Sequence, residues 1–553
     1  MKKDLALLVL LILPSFTWLL QPGFYPMHDD LQAMRQLEMN KCFHDGQIPC
    51  RWVSDLGFGF GYPLFNYYPP LPYLIGAPMH LLNIQYIDIV KIVGILGFML
   101  CALNMYLLGK EFFGRRGGLI SSLFYTYAPY HAVDFWVRGA VNEFYAMAFY
   151  PAIFLTLYLL IKTGNSKYIK WSALSIAGLM LSHNLMLLIF FPVAIIWSVF
   201  WLVKFRKLNN LITLINLITS GLWSLGISAF FTLPVIFESK YAHIETLTMG
   251  YFNYLAHFLN VRQIFLFPNW GYGSSELGPN DGMSFFLGYL HWIVPLTLIL
   301  LSLFIKKLRM FRSMLYLLLL ILIWSLIMTH NKSTLIWDNF LPLQSLQFPW
   351  RFLTISVFSA SFLSGALALL PKSKLLLLTS FTLLFLLNAN YFRPSTWLPN
   401  MTDSQKFSGK SWQYQITSGI FDYLPIFAKA PPADAAGSDL DIISGIGEYR
   451  TLFKNSRLQK YSLSITSSSA IAELQTYYFP GWQAYLNGQK QIIDSTRDPL
   501  LGRIQVDLPK GSSDLILKFN NTPIRTISNL LSLISWVCFI IILWIQRPKK
   551  NLT

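Results

Sequence analysis

The sequence predicts a mainly α-helical, polytopic membrane protein of about twelve transmembrane helices, with an outer β-sandwich domain before the last helix. Three observations carry that class. Of the 553 residues, 54% are hydrophobic and only 12% charged, where soluble globular proteins carry about a quarter charged. Apolar runs recur along the chain, each near the roughly 20 residues that cross a bilayer as a helix with its backbone groups satisfied internally. Between residues 391 and 526 the hydrophobic period changes from helical to alternating. Four cysteines are too few for a disulfide scaffold, and a mean hydropathy of +0.47 excludes a disordered polymer.

The spans fall at about 5–20, 89–109, 118–130, 144–161, 170–184, 185–203, 211–236, 285–305, 313–329, 351–370, 373–390 and 527–545. Lys2 and Lys3 precede the first run as in a signal peptide, but no small-residue cleavage site follows before Pro22, so it reads as a retained anchor. The stretch YPLFNYYPPLPYLIGAP holds prolines at 63, 69, 70, 72 and 78, which oppose an uninterrupted helix. It therefore belongs to a large first outer loop, 21–88, lying on or dipping into the membrane. Residues 1–390 form the multi-spanning domain, 391–526 the outer β-rich domain, and 527–553 the final helix with a basic tail. The strand signals are Ile504, Val506, Leu508 and Leu515, Leu517, Phe519, with Asn487-Gly488 and Lys510-Gly511 as turns.

Orientation follows from charge, because Lys and Arg accumulate in short cytoplasmic loops. On this topology 20 of the 43 basic residues and two of the 26 acidic ones, Asp4 and Glu111, lie in the cytoplasm. That leaves 23 basic and 24 acidic residues outside, so the two sides carry +18 and −1. Both chain ends are then cytoplasmic, in a cell (plasma or inner) membrane. The excess of +17 is a record of insertion rather than a nucleic-acid surface.

Ionisable residues avoid the span middles and collect at their outer ends, where a site touches both lipid and water. His28, Asp29 and Asp30 follow the first span. A carboxylate there can take a proton from an acceptor hydroxyl or help hold a divalent metal; equally, it can cap the segment LQAMRQLEMN. His131, Asp134, Arg138 and Glu143 follow the third span. Arg138 has the planar fork for a phosphate oxygen, or forms a local ion pair with Asp134. His183 marks the turn between spans five and six, and Arg351, beside Gln347 in LQFPWRF, is an interfacial anchor or a second anion contact. Cys42 and Cys50 flank FHDGQIP outside the membrane and are a candidate disulfide. The aromatic loop of Phe58, Phe60, Tyr62, Tyr67, Tyr68 and Tyr73 supplies membrane anchors or faces for sugar rings. His243, Glu245 and His257 lack metal spacing, and no P-loop, dinucleotide fingerprint or nucleophile elbow occurs.

The segments DDLQAMRQ, DGQIPCRW, GFGYPLFNYYPPLPYL, MYLLGKEFFGRRGG, APYHAVDFWVRGAVNEF, SHN and FPWRF resemble the prokaryotic membrane proteins called 6-pyruvoyl-tetrahydropterin synthase-related. YYFPGWQAYLNG, LPKG and NNTPIR before the last helix resemble the outer domain shared with YfhO-like membrane proteins. The resemblance does not imply pterin chemistry, since the soluble synthase uses a histidine-bound zinc and no such arrangement is present. Its wider kinship is with GT-C superfamily glycosyltransferases. That kinship implies a GT-C-like fold, a polyprenyl-phosphate-linked sugar as donor, an acceptor glycan, lipid or protein, and an acidic residue of the first outer loop as base, here Asp29 or Asp30. Arg138, with Glu143, His131, Asp134, His183 and Arg351, would line the phosphate and substrate site. No nucleotide cofactor is expected, and nucleotide sugars in the cytoplasm would not reach the outer face. Two other functions fit the composition: a lipid-linked glycan transporter, which usually carries charges at mid-membrane, and a non-catalytic, glycan-binding envelope scaffold.

Overall fold

The computed structural model describes residues 2–278, 280–419 and 422–546; the basic tail residues Arg547, Lys549 and Lys550 lie outside them. The chain divides into two compact units, one of Met1–Gln32, Ile87–Leu225 and Leu247–Met401, the other of Ala33–Tyr86, Gly226–Thr246 and Thr402–Thr553. Among the described residues seven helices are long and apolar enough to cross a membrane: Tyr86–Thr126, Val141–Thr163, Asn184–Lys204, Leu211–Tyr241, Pro349–Leu369, Ser373–Tyr391 and Pro523–Ile545. Shorter helices, Lys167–Ser182, Tyr289–Leu301 and Arg312–Met328, occupy three further predicted spans.

In the first unit, Tyr86–Thr126 is not one rod. A straight helix of 41 residues would be about 60 Å long and would hold residues 102 and 122 about 30 Å apart. Instead Ser122 Oγ donates to the Ala102 carbonyl oxygen at 2.8 Å. The chain reverses at Gly114, whose φ of +74° is open to glycine, so the run is the hairpin of two arms predicted from 89–109 and 118–130. A side chain at Gly118 would meet the Tyr106 carbonyl oxygen at 2.6 Å, and that glycine sets how closely the arms approach. The predicted span 5–20 is corrected: the α-helix ends at Ile12 and the chain continues as short 3-10 turns, Leu13–Ser15 and Thr17–Leu20. The cause is Pro14, which cannot donate to the helical ladder.

In the second unit, six strands, β1 (Leu440–Ser444), β2 (Gly447–Lys454), β3 (Leu458–Tyr477), β4 (Trp482–Leu486), β5 (Gln489–Gln491) and β6 (Arg503–Phe519), form an antiparallel sheet of order β1-β3-β6-β4-β5, with β2 also on β3. The β domain predicted before the last helix is thus built from one sheet rather than two. Buried positions on β3 run 461, 463, 465 and then 470, 472, 474; on β6 they run 504, 506, 508 and then 515, 517, 519. The parity changes where Ile465 pairs with Gly511 and Ser469 with Pro509, so a bulge bends both strands while keeping one face inward. Lys510-Gly511, predicted to be a turn, lies inside β6 at this bulge. Asn487-Gly488 is the expected β4–β5 turn, with both residues at positive φ. Trp52, with Phe60 and Tyr67 of the aromatic loop, joins the sheet's buried core, and Cys42 and Cys50 are disulfide-bonded. The prolines of 63–82 leave only short helical pieces, Leu64–Tyr67, Leu71–Gly76 and Ala77–Leu82.

Helix Pro523–Ile545 opens on a Thr522 cap and is fixed at that end by one carboxylate. Glu238 accepts from Arg525 Nε at 2.8 Å, Thr522 Oγ1 at 2.6 Å and Asn66 Nδ2 at 3.0 Å.

Candidate functional site

The predicted acidic, basic and histidine positions all belong to the first unit. After the hairpin the chain makes one turn at Pro129–Ala132 and then a π-helical turn, Val133–Val137, a form that recurs at functional sites because the extra residue re-aims side chains. Its Arg138 N–H reaches back five residues to the Val133 carbonyl at 2.8 Å. Gly139, at φ +66°, turns the chain into helix Val141–Thr163.

This irregular turn gathers four charges. Asp134, fully buried, is ion-paired with Arg138, the local i,i+4 pair that the sequence offered. Arg138 Nη1 also lies 3.0 Å from Glu143 Oε2, and the same oxygen accepts from Arg351 Nε at 3.1 Å. Tyr130 OH donates to Glu143 Oε1 at 2.7 Å. Both oxygens of Glu143 are therefore engaged, so this residue holds two arginines in place. Arg351 Nη1 further donates to the Leu346 carbonyl at 2.6 Å and to Gln347 Oε1 at 3.3 Å. Gln347 sits at φ +65°, a conformation costly for a non-glycine residue and held here at the mouth of helix Pro349–Leu369. Arg138 stacks on Trp350 at 4.4 Å and Arg351 lies 5.1 Å from the Phe348 ring. Burial, then the charge of Glu143, pushes the Asp134 carboxyl up, while Arg138 pulls it down.

The acidic pair of the first loop comes to the same turn through its backbone. The Asp29 N–H donates to the Arg138 carbonyl at 2.9 Å and the His28 N–H to the Val137 carbonyl at 3.1 Å. Gln32 Nε2 bridges Asp29 Oδ2, at 3.1 Å, and the Gly139 carbonyl, at 2.7 Å. Asp29 and Asp30 are half-buried in the turn before helix Gln32–His44. His28 faces elsewhere, its Nε2 on the Tyr272 carbonyl at 2.8 Å.

His183 separates helices Lys167–Ser182 and Asn184–Lys204 in an extended conformation. Its Nδ1 is buried with no hydrogen-bond partner among the described residues, and it lies within electrostatic reach of Arg351, Glu143 and Arg138. His131 is different: its Nδ1 contacts the Tyr125 carbonyl at 2.5 Å and its ring packs on Tyr125 and Phe144. Burial pushes it down to about 3, which favours the neutral ring in this packed setting. Among the described residues no group of three or more His, Cys, Asp or Glu side chains is arranged to hold a metal ion; Asp29 and Asp30 alone do not make one.

Sequence reasoning missed Tyr130, Gln32 and Trp350. Trp350 meets Arg138, and Gln32 ties Asp29 to the Gly139 carbonyl, across segments that only the fold brings together, while Tyr130 reaches Glu143 from thirteen residues away.

The family model of the 6-pyruvoyl-tetrahydropterin synthase related domain, a membrane protein, matches residues 65–393, more than half of the chain. This chain belongs to that family. The matched region includes the whole arginine–carboxylate cluster but begins after Asp29 and Asp30. No curated protein matches the sequence. Two solved structures are similar in fold to part of the chain. One is the Archaeoglobus fulgidus oligosaccharyltransferase in complex with Zn and sulfate, at 14% identity and TM-score 0.40, covering 72% of this chain and 54% of that one. The other is the oligosaccharyltransferase AglB of the same organism in complex with an inhibitory peptide and a dolichol-phosphate, at 11% identity and TM-score 0.39, covering 72% and 56%. The chain thus spans little more than half the length of either.

Proposed function

We propose that this family member is an integral-membrane glycosyltransferase that moves a sugar from a polyprenyl-phosphate donor to an envelope glycan, lipid or protein acceptor on the outer face of the cell membrane. The observation that carries the reading is the direct backbone bond between Asp29 and Arg138, which joins a candidate base to a candidate phosphate contact. The first-loop resemblance to GT-C enzymes and the +18 to −1 charge asymmetry support the donor class and the sidedness, with both chain ends in the cytoplasm.

In this reading the lipid phosphate lies against Arg138 and Arg351, with the His183 Nδ1 edge as a further contact. Glu143 positions both arginines. Asp29 or Asp30 takes the proton of the acceptor hydroxyl; the acceptor oxygen bonds to the anomeric carbon as the bond from that carbon to the phosphate oxygen breaks, and the lipid phosphate leaves with the electron pair. Fixed cations beside the leaving oxygen stabilise the charge that grows there. No step is routed through a metal.

A second reading, the non-catalytic scaffold, is favoured by the carboxylate partners of Arg138 and Arg351, which make the cluster self-sufficient. The two are separated by offering the protein, in vesicles, radiolabelled polyprenyl-phosphate hexoses and pentoses. Label leaving the lipid with wild type, and staying on it after Asp29→Ala/Asp30→Ala, fits the transferase; label retained on every donor by wild type fits the scaffold.

A further inference from the structure

The second unit contains a cavity of about 540 Å³, within the roughly 300–1,000 Å³ range of small-molecule sites. It is bounded by the loop 54–59, by Trp412 and Ile416 of helix Gly409–Thr417, and by residues 435–439 and 454–455. Nothing in the reading above uses it.

Its walls combine two chemistries. Phe58 and Trp412, both half-buried, give aromatic faces. Asp55, Asp439, Lys454 and Asn455 give planar or charged polar groups. Every lysine on the wall has a carboxylate partner: Lys41 Nζ lies 2.5 Å from Asp55 and Lys454 Nζ 2.8 Å from Asp439. Asp45, also on the wall, accepts the Ser456 N–H at 2.9 Å, so three carboxylates stand against two lysines and an anion is disfavoured. These groups leave fixed donors and acceptors at the edges of the cavity. Asn455 Oδ1 is taken by the Arg457 and Leu458 N–H groups, so this side chain offers its NH₂ end as a donor.

Phe58 is the second observation. It stands at φ +63° between Gly57 and Gly59, themselves at +65° and +81°. A bulky residue in the left-handed region costs of order 1–3 kcal/mol and persists only where its surroundings over-determine it. Here they do: the Phe58 N–H donates to the Ile416 carbonyl at 2.8 Å and its carbonyl accepts from Ala436 N–H at 2.9 Å. A glycine would relieve the strain, yet a phenyl ring is held there, on the cavity wall. Of the other loop aromatics, Phe60, Tyr62, Tyr67 and Tyr73 are buried in packing, and Tyr68 stacks under Arg35 at 4.3 Å.

Beneath the wall, Glu38 is fully buried and accepts the Ser54 N–H at 3.0 Å. Burial, then the Asp55 charge, pushes its carboxyl well above the usual range.

Apolar aromatic faces beside fixed donors and acceptors match a ring with C–H groups on its faces and hydroxyls around its edge. We propose that this cavity is a binding site for an uncharged oligosaccharide, with Phe58 and Trp412 as stacking platforms and Asp55, Asp439, Lys454 and Asn455 as hydroxyl partners. The site shares no residue with the arginine–carboxylate cluster and does not rest on the transferase reading.

The test uses the full chain in lipid nanodiscs, free of sugar-headed detergents, on an array of defined neutral and acidic oligosaccharides. Retention of neutral glycans by wild type, weakened by roughly tenfold or more in Trp412→Ala and also in Asn455→Ala, is the expected result. Thermal unfolding of each variant checks its fold, and Phe58→Gly, which relaxes the backbone while removing the ring, gives a variant that loses binding without losing stability. Asp29→Asn/Asp30→Asn should bind as wild type does, which keeps this test separate from that of the transferase. Absence of neutral glycan binding, retention of acidic glycans only, or binding indifferent to Trp412 and Asn455 overturns the proposal.

Discussion

Arg351 Nε donates to Glu143 Oε2 at 3.1 Å across 208 residues of sequence, and Arg138 meets the same oxygen at 3.0 Å. One buried carboxylate thereby fixes the spacing of two guanidinium groups that come from distant segments of the chain.

Removing that carboxylate leaves Arg351 buried without its ionic partner, and uncompensated buried charges of this kind cost about 3–5 kcal/mol. Glu143→Gln is expected to lower the thermal midpoint of the reconstituted protein clearly. Tyr130→Phe, which takes away one hydrogen bond to the same group, should cost about 1–3 kcal/mol. Equal midpoints for wild type and Glu143→Gln would show that the cluster carries little stability.

Glu238 plays the same part in the second unit, where it faces Arg525, Thr522 and Asn66. Glu238→Leu strands Arg525, which is fully buried. Limited proteolysis should then cut near residues 519–523 at rates well above wild type, while Glu238→Leu combined with Arg525→Met should recover most of the protection, because an apolar pair replaces an ionic one with little net cost.

The cysteines give a direct chemical readout. Under denaturing conditions without reductant, a maleimide should label Cys101 and Cys538 and spare Cys42 and Cys50; with reductant all four should react. In the native protein Cys101 is buried and Cys538 lies on the outer face of the spanning helix Pro523–Ile545, where lipid shields it, so neither is expected to be labelled in the intact membrane. Mass spectrometry of the intact chain counts the adducts.

Glu38 predicts a pH dependence. Its folded-state carboxyl is raised by burial and by Asp55, so between the ordinary carboxylate range and that raised value the folded chain holds a proton the unfolded chain has lost. Stability therefore falls as pH rises through this window. Glu38→Gln, which keeps an acceptor for the Ser54 N–H, should flatten the slope; identical slopes for the two proteins would contradict the assignment.

What was legible in the sequence is what local pattern encodes. The gap between the spans 89–109 and 118–130 marked the reversal that Gly114 performs, Asn487-Gly488 marked a hairpin, and the prolines of 63–82 excluded a spanning helix there. Pro14 carried the signal that breaks the first span, but its apolar neighbours outweighed it in a hydropathy reading. Lys510-Gly511 looked like a turn because a glycine at positive φ serves a bulge as well as a hairpin. Of the site, the Asp134–Arg138 pair was legible because its members are four apart. The choice of Glu143 as common partner, and the backbone bond between Asp29 and Arg138, depend on segments more than a hundred residues apart, and no local period records them.

Donor affinity and turnover, measured together on one reconstituted preparation, test the central claim most directly. With a radiolabelled polyprenyl-phosphate sugar that wild type transfers, Asp29→Asn/Asp30→Asn should lower turnover at least about a hundredfold with donor binding unchanged, whereas Arg351→Gln should weaken donor binding. Full turnover in the double variant would contradict the account, because the acidic pair beside Arg138 would then have no part in the transfer.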